Sequence, residues 1–475
     1  MKFFVVVSLL IINQCLTAQT DAIIFSSEYD DISVFIESLE DGNFFTVWKE
    51  AKESADIYSL IKFDINGNIL ESQELPLLGD YKIQFITSCL VDNGSIYIYG
   101  TCSNFTETSF NGFIYKYSNN LDFENSAVIG EGGMAEYVRD MIIVDSQMIY
   151  MSGFDYAYFP RAFLYKIDLE FNLIDYNYID TAGGFSTAKL SMDYNSNQLI
   201  MFMHFKKAYF VDTSTLNINS TYYFEDIDGL SLREVLPVTE NEMYIFPVLN
   251  PSGNADDFDD LGIYFKDKNF NTLNYNLFST DSLNLLQAKN TLHYIDPDNI
   301  WFSYTTFGGV LLPEDELANH FIGVVKFNED GLVLSETFIG GDANYVAYAT
   351  HALEDGGALI LTQRFDWESP EGDRDIYIFR VDANGNLILD VEDSPIQQFD
   401  FLLYPNPVSD YLIIKSQLIQ SAFVEVYNMN GQLVNRTEKL STELKIDLSQ
   451  LSAGIYTYRI FTDKGVMQTG KFVKN

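Results

Sequence analysis

Short apolar runs broken by Gly-, Asn- and Asp-containing turns fill the chain from residue 22 to about residue 390. One run recurs: an apolar segment ending in Lys or Arg, one more apolar residue, and often Asp. It reads Leu60-Ile61-Lys62-Phe63-Asp64, Ile114-Tyr115-Lys116-Tyr117-Ser118 and Leu164-Tyr165-Lys166-Ile167-Asp168. It continues as Tyr209-Phe210-Val211-Asp212, Tyr264-Phe265-Lys266-Asp267, Val324-Val325-Lys326-Phe327-Asn328 and Ile378-Phe379-Arg380-Val381-Asp382. The last residues lie 54, 50, 44, 55, 61 and 54 positions apart, about one propeller blade per repeat.

Each repeat reads as four strands. In the first, Ile32–Leu39 leads through Asp41-Gly42-Asn43 into Phe44–Trp48, a longer polar loop, Ile57–Phe63, the turn at Asn66-Gly67, and a strand from Ile69. Asp-Gly and Asn-Gly pairs between apolar runs are strong hairpin signals because both central residues take positive φ. They recur at Asn93-Gly94, Asp330-Gly331, Asp355-Gly356 and Asn384-Gly385. Middle strands such as Ile96-Tyr97-Ile98-Tyr99 are apolar at every position, as expected of sheets covered on both faces rather than one. Ala22–Phe25 reads as a spare strand that completes the seventh repeat and closes the ring. The fourth repeat lacks the Lys and has a weak first turn, which predicts an irregular blade. The fold expected is all-β: a seven-bladed β-propeller over 19–393, a linker at 394–398, and a small Ig-like β-sandwich over 399–475.

The two ends of the chain carry addresses. Met1-Lys2 followed by the apolar Phe3–Ile12 and then Asn13 to Ala18 is too short to span a bilayer, which takes about 20 apolar residues. It reads as a signal peptide over 1–18, removed near Ala18-Gln19. No later run approaches a spanning length, so no membrane span is expected. The last 77 residues hold the blocks Tyr404-Pro405-Asn406-Pro407, Gly431-Gln432-Leu433-Val434, Leu451-Ser452-Ala453-Gly454-Ile455-Tyr456 and Gly470-Lys471-Phe472 in order. They read as about seven short strands. This series resembles the type A C-terminal sorting domain of the type IX secretion system, through Pro405, Asn406, Pro407, Gly431, Leu451, Ala453, Gly454, Tyr456 and Lys471. The resemblance implies passage across the outer membrane by the type IX machinery, cleavage near 393–400, and cargo released or attached at the cell surface. The middle of the chain, most clearly Gly340-Gly341-Asp342 to Asn386, is similar to repeats of exported bacterial propeller proteins, which implies a fold and no activity.

Net charge changes the list of partners. The chain carries 28 Lys and Arg against 68 Asp and Glu, a net charge of −40. Nucleic acid and anionic membrane are therefore excluded as partners, since both need a basic face. Residues 399–475 are close to neutral, so the acidity belongs to the propeller. Of the cysteines, Cys89 and Cys102 would remain after export. A hairpin at Asn93-Gly94 sets Cys89 opposite Ile98 and leaves Cys102 roughly 13 Å away, beyond disulfide reach. Two free, buried thiols are expected.

Catalytic signals are sparse. There is no Gly-x-Ser-x-Gly, His-Glu-x-x-His or phosphate-binding Gly-rich loop. His204, His293, His320 and His351 fall in different repeats and read as isolated surface or core residues, so no metal centre is expected. Ser186-Thr187-Ala188-Lys189 fits Ser-x-x-Lys without its partner motifs, and Asp180-Thr181-Ala182 and Asp281-Ser282-Leu283 fit a bacterial glycosylation pattern. The elaborated face of the propeller is expected where second-to-third-strand loops emerge. There Phe154, Tyr156, Tyr158, Arg161, Trp367 and Arg374 set aromatic rings and cations beside carboxylates, suited to stacking on sugars. Asp256, Asp257, Asp259 and Asp260 offer hard oxygen ligands for Ca²⁺, but they lack Asp-x-Asp-x-Asp spacing with a turn Gly and read as a solvated loop. No cofactor is expected. The sequence favours a glycan- or protein-binding module over an enzyme. The alternatives are a polysaccharide hydrolase or lyase using Asp256, Asp259, Asp373 or Asp375, and a structural surface component.

Overall fold

The structure is a computed structural model of the whole chain. It describes residues 22–388, 402–404, 408–415, 423–428, 433–437, 443–462 and 465–474, apart from 28–29, 52–55, 105–109, 131–135, 156–160, 181–186, 197, 204–206, 226–230, 233, 239–241, 251–259, 279–282, 287–289, 309–320, 341–342 and 366–373. Secondary structure among them is strand only. The chain divides into compact units at 1–390 and 391–475.

The first unit is seven antiparallel sheets, one for each sequence repeat. Numbered along the chain, the blades cover residues 30–74, 81–129, 136–180, 187–223, 231–278, 283–340 and 344–381. The seventh is completed by Ile23–Phe25, which pairs antiparallel with Arg374–Val381 in the register Ile23↔Ile378, Ile24↔Tyr377 and Phe25↔Ile376. The spare N-terminal strand therefore closes the ring, which removes the sheet edge an open array would expose. Strands are lettered a to d from the axis outwards. Middle strands are buried almost throughout, as in Ser95–Asn104 and Ala358–Phe365. Each interface between neighbouring blades has its own apolar core. The one between blades 7 and 1 is built from Phe25, Phe44, Phe63, Leu359, Leu361 and Ile378. Blade 4, where the sequence motif is weak, has the shortest middle strands, five residues each.

The recurring Lys and Asp of the sequence motif have separate tasks. The Asp opens the turn from strand c to strand d and turns its carboxylate onto the amides that follow. Asp64 accepts from the Asn66 and Asn68 N–H at 2.9 Å, and Asp382 from Asn384 and Asn386 at 2.8 Å. Such side-chain acceptors replace the ladder bonds a tight turn cannot make. The Lys ties turns together: Lys326 donates to the Gly356 carbonyl at 2.8 Å and to Ala383 at 3.1 Å, and Lys166 to Thr213 at 2.8 Å.

Within these turns one residue is always left-handed: Gly67, Leu121, Phe171, Leu216, Phe270, Gly331 or Gly385, at φ between 54 and 81°. Glycine takes this conformation freely, whereas a bulky residue pays about 1–2 kcal/mol. Leu121, Phe171, Leu216 and Phe270 are all buried, each in the core shared with the preceding blade. That burial is worth about 1.5–3 kcal/mol per side chain and offsets the strain. The carbonyl of the same residue is gripped by the outer strand of the preceding blade. Gln73 donates to Leu121, Asn177 to Leu216 and Asn276 to Gly331 at 2.6–2.7 Å, and Thr337 to Gly385.

Two sequence expectations need correction. Ile32–Leu39 is not one strand: Asp30–Ile32 and Glu37–Ser38 flank a break. Thr46 of the next strand donates its hydroxyl to the Phe35 carbonyl at 2.6 Å, taking the place of a ladder bond. Phe35 and Ile36 are both buried there, which strict alternation would not allow. The thiols are free and Cys89 does lie opposite Ile98, but only Cys102 is buried; Cys89 is half-buried on the innermost strand of blade 2.

Among its described residues the second unit holds seven strands in two sheets. Leu402–Tyr404, Tyr411–Lys415 and Glu443–Asp447 form one, and Leu433–Thr437, Phe423–Tyr427, Gly454–Thr462 and Gly465–Lys474 the other. Val408, Leu412, Ile414 and Ile446 meet Val424, Val426, Tyr458 and Phe472 in one core, the β-sandwich expected from the spacing of its turns.

Candidate functional site in the axial channel

Strand a of each blade faces the axis, and these strands carry several buried polar groups, among them Asp31, Thr87, Asp140, Thr350 and His351. In blade 6 strand a is split into Leu283–Leu286 and Leu292–Asp296. Between them Asn290 is left-handed at φ 66° and reaches across the ring. Its Nδ2 donates to the Val34 carbonyl (2.9 Å) and to Thr87 (3.4 Å), and its Oδ1 accepts from the Ser88 hydroxyl (3.1 Å). Its N–H donates to Glu234 at 3.2 Å and its carbonyl accepts from the Thr350 N–H at 2.9 Å. One side chain and its peptide thus join blades 1, 2, 5, 6 and 7. An asparagine does this well because it offers donors and an acceptor on a short, rigid amide.

A charged group lines the opposite wall. Asp140 of blade 3 is fully buried, accepts from the Leu190 N–H at 2.6 Å and from the Tyr99 hydroxyl at 3.2 Å, and pairs with Lys189 at 3.2 Å. Burial works against the Lys189 charge, but Asp140, Glu234 and Glu37 outweigh it and hold its pKa above the ordinary value. Lys189 is the lysine of the Ser-x-x-Lys match. Its role here is ionic, and Ser186 lies outside the described residues.

At the mouth formed by the tight turns stand Glu37 of blade 1, His293 of blade 6 and His351 of blade 7. One ligand atom from each lies within 4.8 Å of the others. The imidazoles face one another with ring centroids 4.5 Å apart, and His351 Nδ1 lies 3.5 Å from Glu37 Oε2. Burial pushes His293 down to about 4 and, with His293 beside it, His351 down to about 3, so both are neutral at pH 7. Burial also raises Glu37 to about 7, against a bond from the Ser38 backbone and the field of Lys189. The three offer two nitrogens and one oxygen, a donor set suited to a divalent first-row metal. Around them opens a cavity of about 800 Å³, whose wall includes Ser38, Glu40, Tyr294, Glu354, Asp355 and Arg380.

The expectation that the histidines are isolated is thus corrected. His293 and His351 belong to successive repeats, and equivalent positions on strand a of neighbouring blades converge at the axis. The signal was present in the repeats. Glu37, Cys89, His293 and His351 each lie three residues before an acidic turn residue, Glu40, Asp92, Asp296 and Glu354, in four blades that are consecutive around the ring.

Of the loop residues named from sequence, Phe154, Arg161, Asp260, Arg374 and Asp375 are described, and they lie at strand ends on the opposite face. Phe154 stacks on Tyr137 at 5.0 Å, with the Arg139 guanidinium 5.1 Å from its ring on a further contact. Arg161 pairs with Asp155 at 2.5 Å and lies 4.0 Å over Tyr178. Arg374 is exposed, 5.4 Å from the Phe365 ring, and its N–H reaches Asp30. Asp375 lies close enough to the buried Asp31 to add to the burial that raises it to about 6. Asp260 opens the strand Asp260–Asp267. Tyr156, Tyr158, Asp256, Asp257, Asp259, Trp367 and Asp373 lie outside the described residues, as do His204 and His320.

The second unit can be named. Residues 402–475 match the family described as secretion system C-terminal sorting domain. This end of the chain is a type IX sorting domain. In the sorting domain Leu451 packs against the core and the Tyr456 hydroxyl donates to the Ser452 carbonyl at 2.9 Å, which closes the Leu451–Tyr456 motif on itself. Ala453, Gly454 and Lys471 are exposed, while Pro405, Asn406, Pro407 and Gly431 lie outside the described residues. The sorting domain directs the protein out of the cell, to the extracellular space or the outer cell surface, and makes the type IX machinery a partner.

No curated protein matches the chain in sequence. Among solved structures it is similar to Chaetomium thermophilum Raptor, at 10% identity and a TM-score of 0.44, over 76% of this chain and 30% of that one. It is also similar to Kuenenia stuttgartiensis hydrazine synthase (10%, 0.39, 64% and 94%) and to the Neurospora crassa Pan2 WD40 domain (10%, 0.40, 78% and 99%). This chain spans under a third of the length of the first of these. Among the described residues no helix is long and apolar enough to cross a membrane.

Proposed function

We propose that the propeller is an extracellular binding module that takes a glycan or a protein segment at the axial mouth on the turn face. The observation that carries this reading is the cavity of about 800 Å³ around Glu37, His293 and His351, rimmed by Glu40, Glu354, Asp355 and Arg380. Its size is that of a ligand site, and its wall mixes polar groups with apolar ones such as Phe44, Ile65 and Val91. The rim is acidic with one guanidinium, which suits hydroxyl-rich or basic groups and not polyanions. A cleaved signal peptide at 1–18 and removal of the sorting domain complete the route to the mature cargo.

A second reading has one specific support. Glu37, raised to about 7 in the cavity, has the acidity of a general acid–base group, as a hydrolase or lyase would need. A melting screen of the full chain against a glycan panel tests the first reading, because any ligand of the native state raises stability by mass action. The expected result is a shift for a neutral or basic glycan that Glu40→Gln or Arg380→Ala weakens. Shifts that ignore both variants would move the site elsewhere. Product release from the same glycans, abolished by Glu37→Gln, would favour the enzyme.

A further inference from the structure

We propose that Glu37, His293 and His351 form a transition-metal site that takes one borderline divalent cation, of the class of Zn²⁺, and ties blades 6, 7 and 1 together at the axial mouth. This goes beyond the binding function above and does not depend on what fills the rest of the cavity.

Four observations converge on it. First, the donor atoms are gathered, one from each of three adjacent blades, within 4.8 Å of one another. Two imidazole nitrogens and a carboxylate oxygen select Zn²⁺ and its neighbours over Ca²⁺ and Mg²⁺, which prefer all-oxygen shells. Second, His351 is 4% exposed and its Nδ1 has no hydrogen-bond partner, although Glu37 stands 3.5 Å away. A buried acceptor left without a donor is destabilising, and a cation between the two groups would use both lone pairs. Third, the His351 ring makes a hydrogen bond with the Ile36 backbone. A proton on Nε2 given to the Ile36 carbonyl would leave the unpartnered Nδ1 as the ligand atom. This is the arrangement that fixes a metal-binding imidazole in the right tautomer. Fourth, Phe44 packs edge-on against the His351 ring at 5.8 Å, limiting its rotation.

His293 carries the cost of the site. Its Nδ1 accepts from the Ala352 N–H at 3.2 Å, so its proton is on Nε2. To ligate, the ring gives up this long hydrogen bond or turns over about Cβ–Cγ. Three protein ligands leave a fourth position for water or for a group of the bound ligand, and the cavity opens on that side. His351 presents its Nδ1 as it stands, whereas His293 first breaks its bond to Ala352 or turns.

The test uses the full chain, stripped with chelator and titrated with Zn²⁺ by calorimetry and melting temperature, with Ca²⁺ as the control for the acidic surface. One equivalent of Zn²⁺ is expected to bind about a hundredfold more tightly than Ca²⁺ and to raise the melting temperature. Co²⁺ should give visible d–d bands of a four- or five-coordinate nitrogen–oxygen site. Glu37→Gln, which keeps the side chain's shape, and His293→Gln should each weaken this one site about a hundredfold and erase the bands, while far-ultraviolet dichroism stays that of the native fold. The proposal is overturned if Zn²⁺ shifts the melting temperature no more than Ca²⁺ does. It is also overturned if the stoichiometric site and its spectrum survive in both folded variants. If glycan shifts persist in chelator-treated protein, the binding reading stands even where the metal site fails.

Discussion

The turns from strand c to strand d and the axial positions of strand a are products of the same repeat, yet they have diverged to opposite degrees. At the rim the pattern is nearly uniform: an Asp, Ser or Asn caps the turn, one residue is left-handed, and an outer-strand side chain often grips its carbonyl. At the axis the position three residues before the acidic turn residue is Glu37, Cys89, His293 and His351 in four consecutive blades. A turn must satisfy the same backbone geometry in every blade, so its chemistry repeats. The axial position is not fixed by backbone geometry. There the ring gathers different side chains from each blade, which is how a symmetric scaffold builds an asymmetric site.

The largest effect that can challenge this comparison is at a bulky left-handed residue. Phe270 is 3% exposed and packs against Phe202, Tyr222, Phe224 and Tyr244. Phe270→Ala should destabilise the propeller by about 3–5 kcal/mol in urea. Phe270→Gly removes slightly more volume but relieves the left-handed backbone, so it should be the more stable of the two by about 1 kcal/mol. The reverse order would show that the strain is not there. Next comes the strap across the axis. Asn290→Ala leaves the Val34 carbonyl and the Ser88 hydroxyl short of a partner and should cost about 2–3 kcal/mol. A cost below about 0.5 kcal/mol would mean that the axis contributes little to holding the ring closed.

The turn carboxylates predict an acid limb. A hydrogen bond from Ser214 and the amides of Thr215 and Ser214 hold Asp212 down at about 2, and bonds from Asn386 lower Asp382. Folded values below the unfolded ones mean that the native state binds fewer protons. This stabilisation is complete above the unfolded value near 3.8 and is lost as pH falls through the folded one. The share of stability that these caps supply should therefore hold steady above about pH 5 and fall towards pH 2, whereas the raised Asp31 and Glu37 work the other way and lower the melting temperature as pH rises through about 6 and 7. Asp382→Asn should lower it by a few degrees at pH 7 and flatten the acid limb. A limb that stays as steep would place the sensitive carboxylates elsewhere.

Much of the fold was legible because it rests on local chemistry. Asn66-Gly67 and Asn384-Gly385 announce turns through residues that tolerate positive φ, and the apolar run ending in Lys or Arg marks the third strand in six of the seven blades. The closing strand Ile23–Phe25 could be read because an array of sheets must cover its last edge. The break at 33–36 could not, since it depends on a hydroxyl from Thr46 in the next strand. The axial site was illegible for a related reason. His293 and His351 stand 4.5 Å apart only because the ring closes, and single-residue spacing carries no trace of that. Only when the repeats are aligned on their acidic turn residues do the four axial positions fall into one column.

The smallest effect separates the two regions most sharply. Glu40 and Asp382 are both acidic residues of tight turns, but Glu40 is exposed at the rim of the axial cavity, whereas Asp382 caps the backbone of its own turn. Removing a charge from a surface side chain outside any hydrogen-bonded cap changes stability by about 0.5 kcal/mol at most. Glu40→Gln should therefore leave the melting temperature within about a degree or two of the parent, well inside the change caused by Asp382→Asn. Its effect should appear only in ligand binding at the mouth. Equal losses in the two variants would mean that the axial turns are committed to the fold as firmly as the outer ones, and that the mouth is not free to specialise. A silent Glu40→Gln that weakens binding would place function where the repeats differ and stability where they agree.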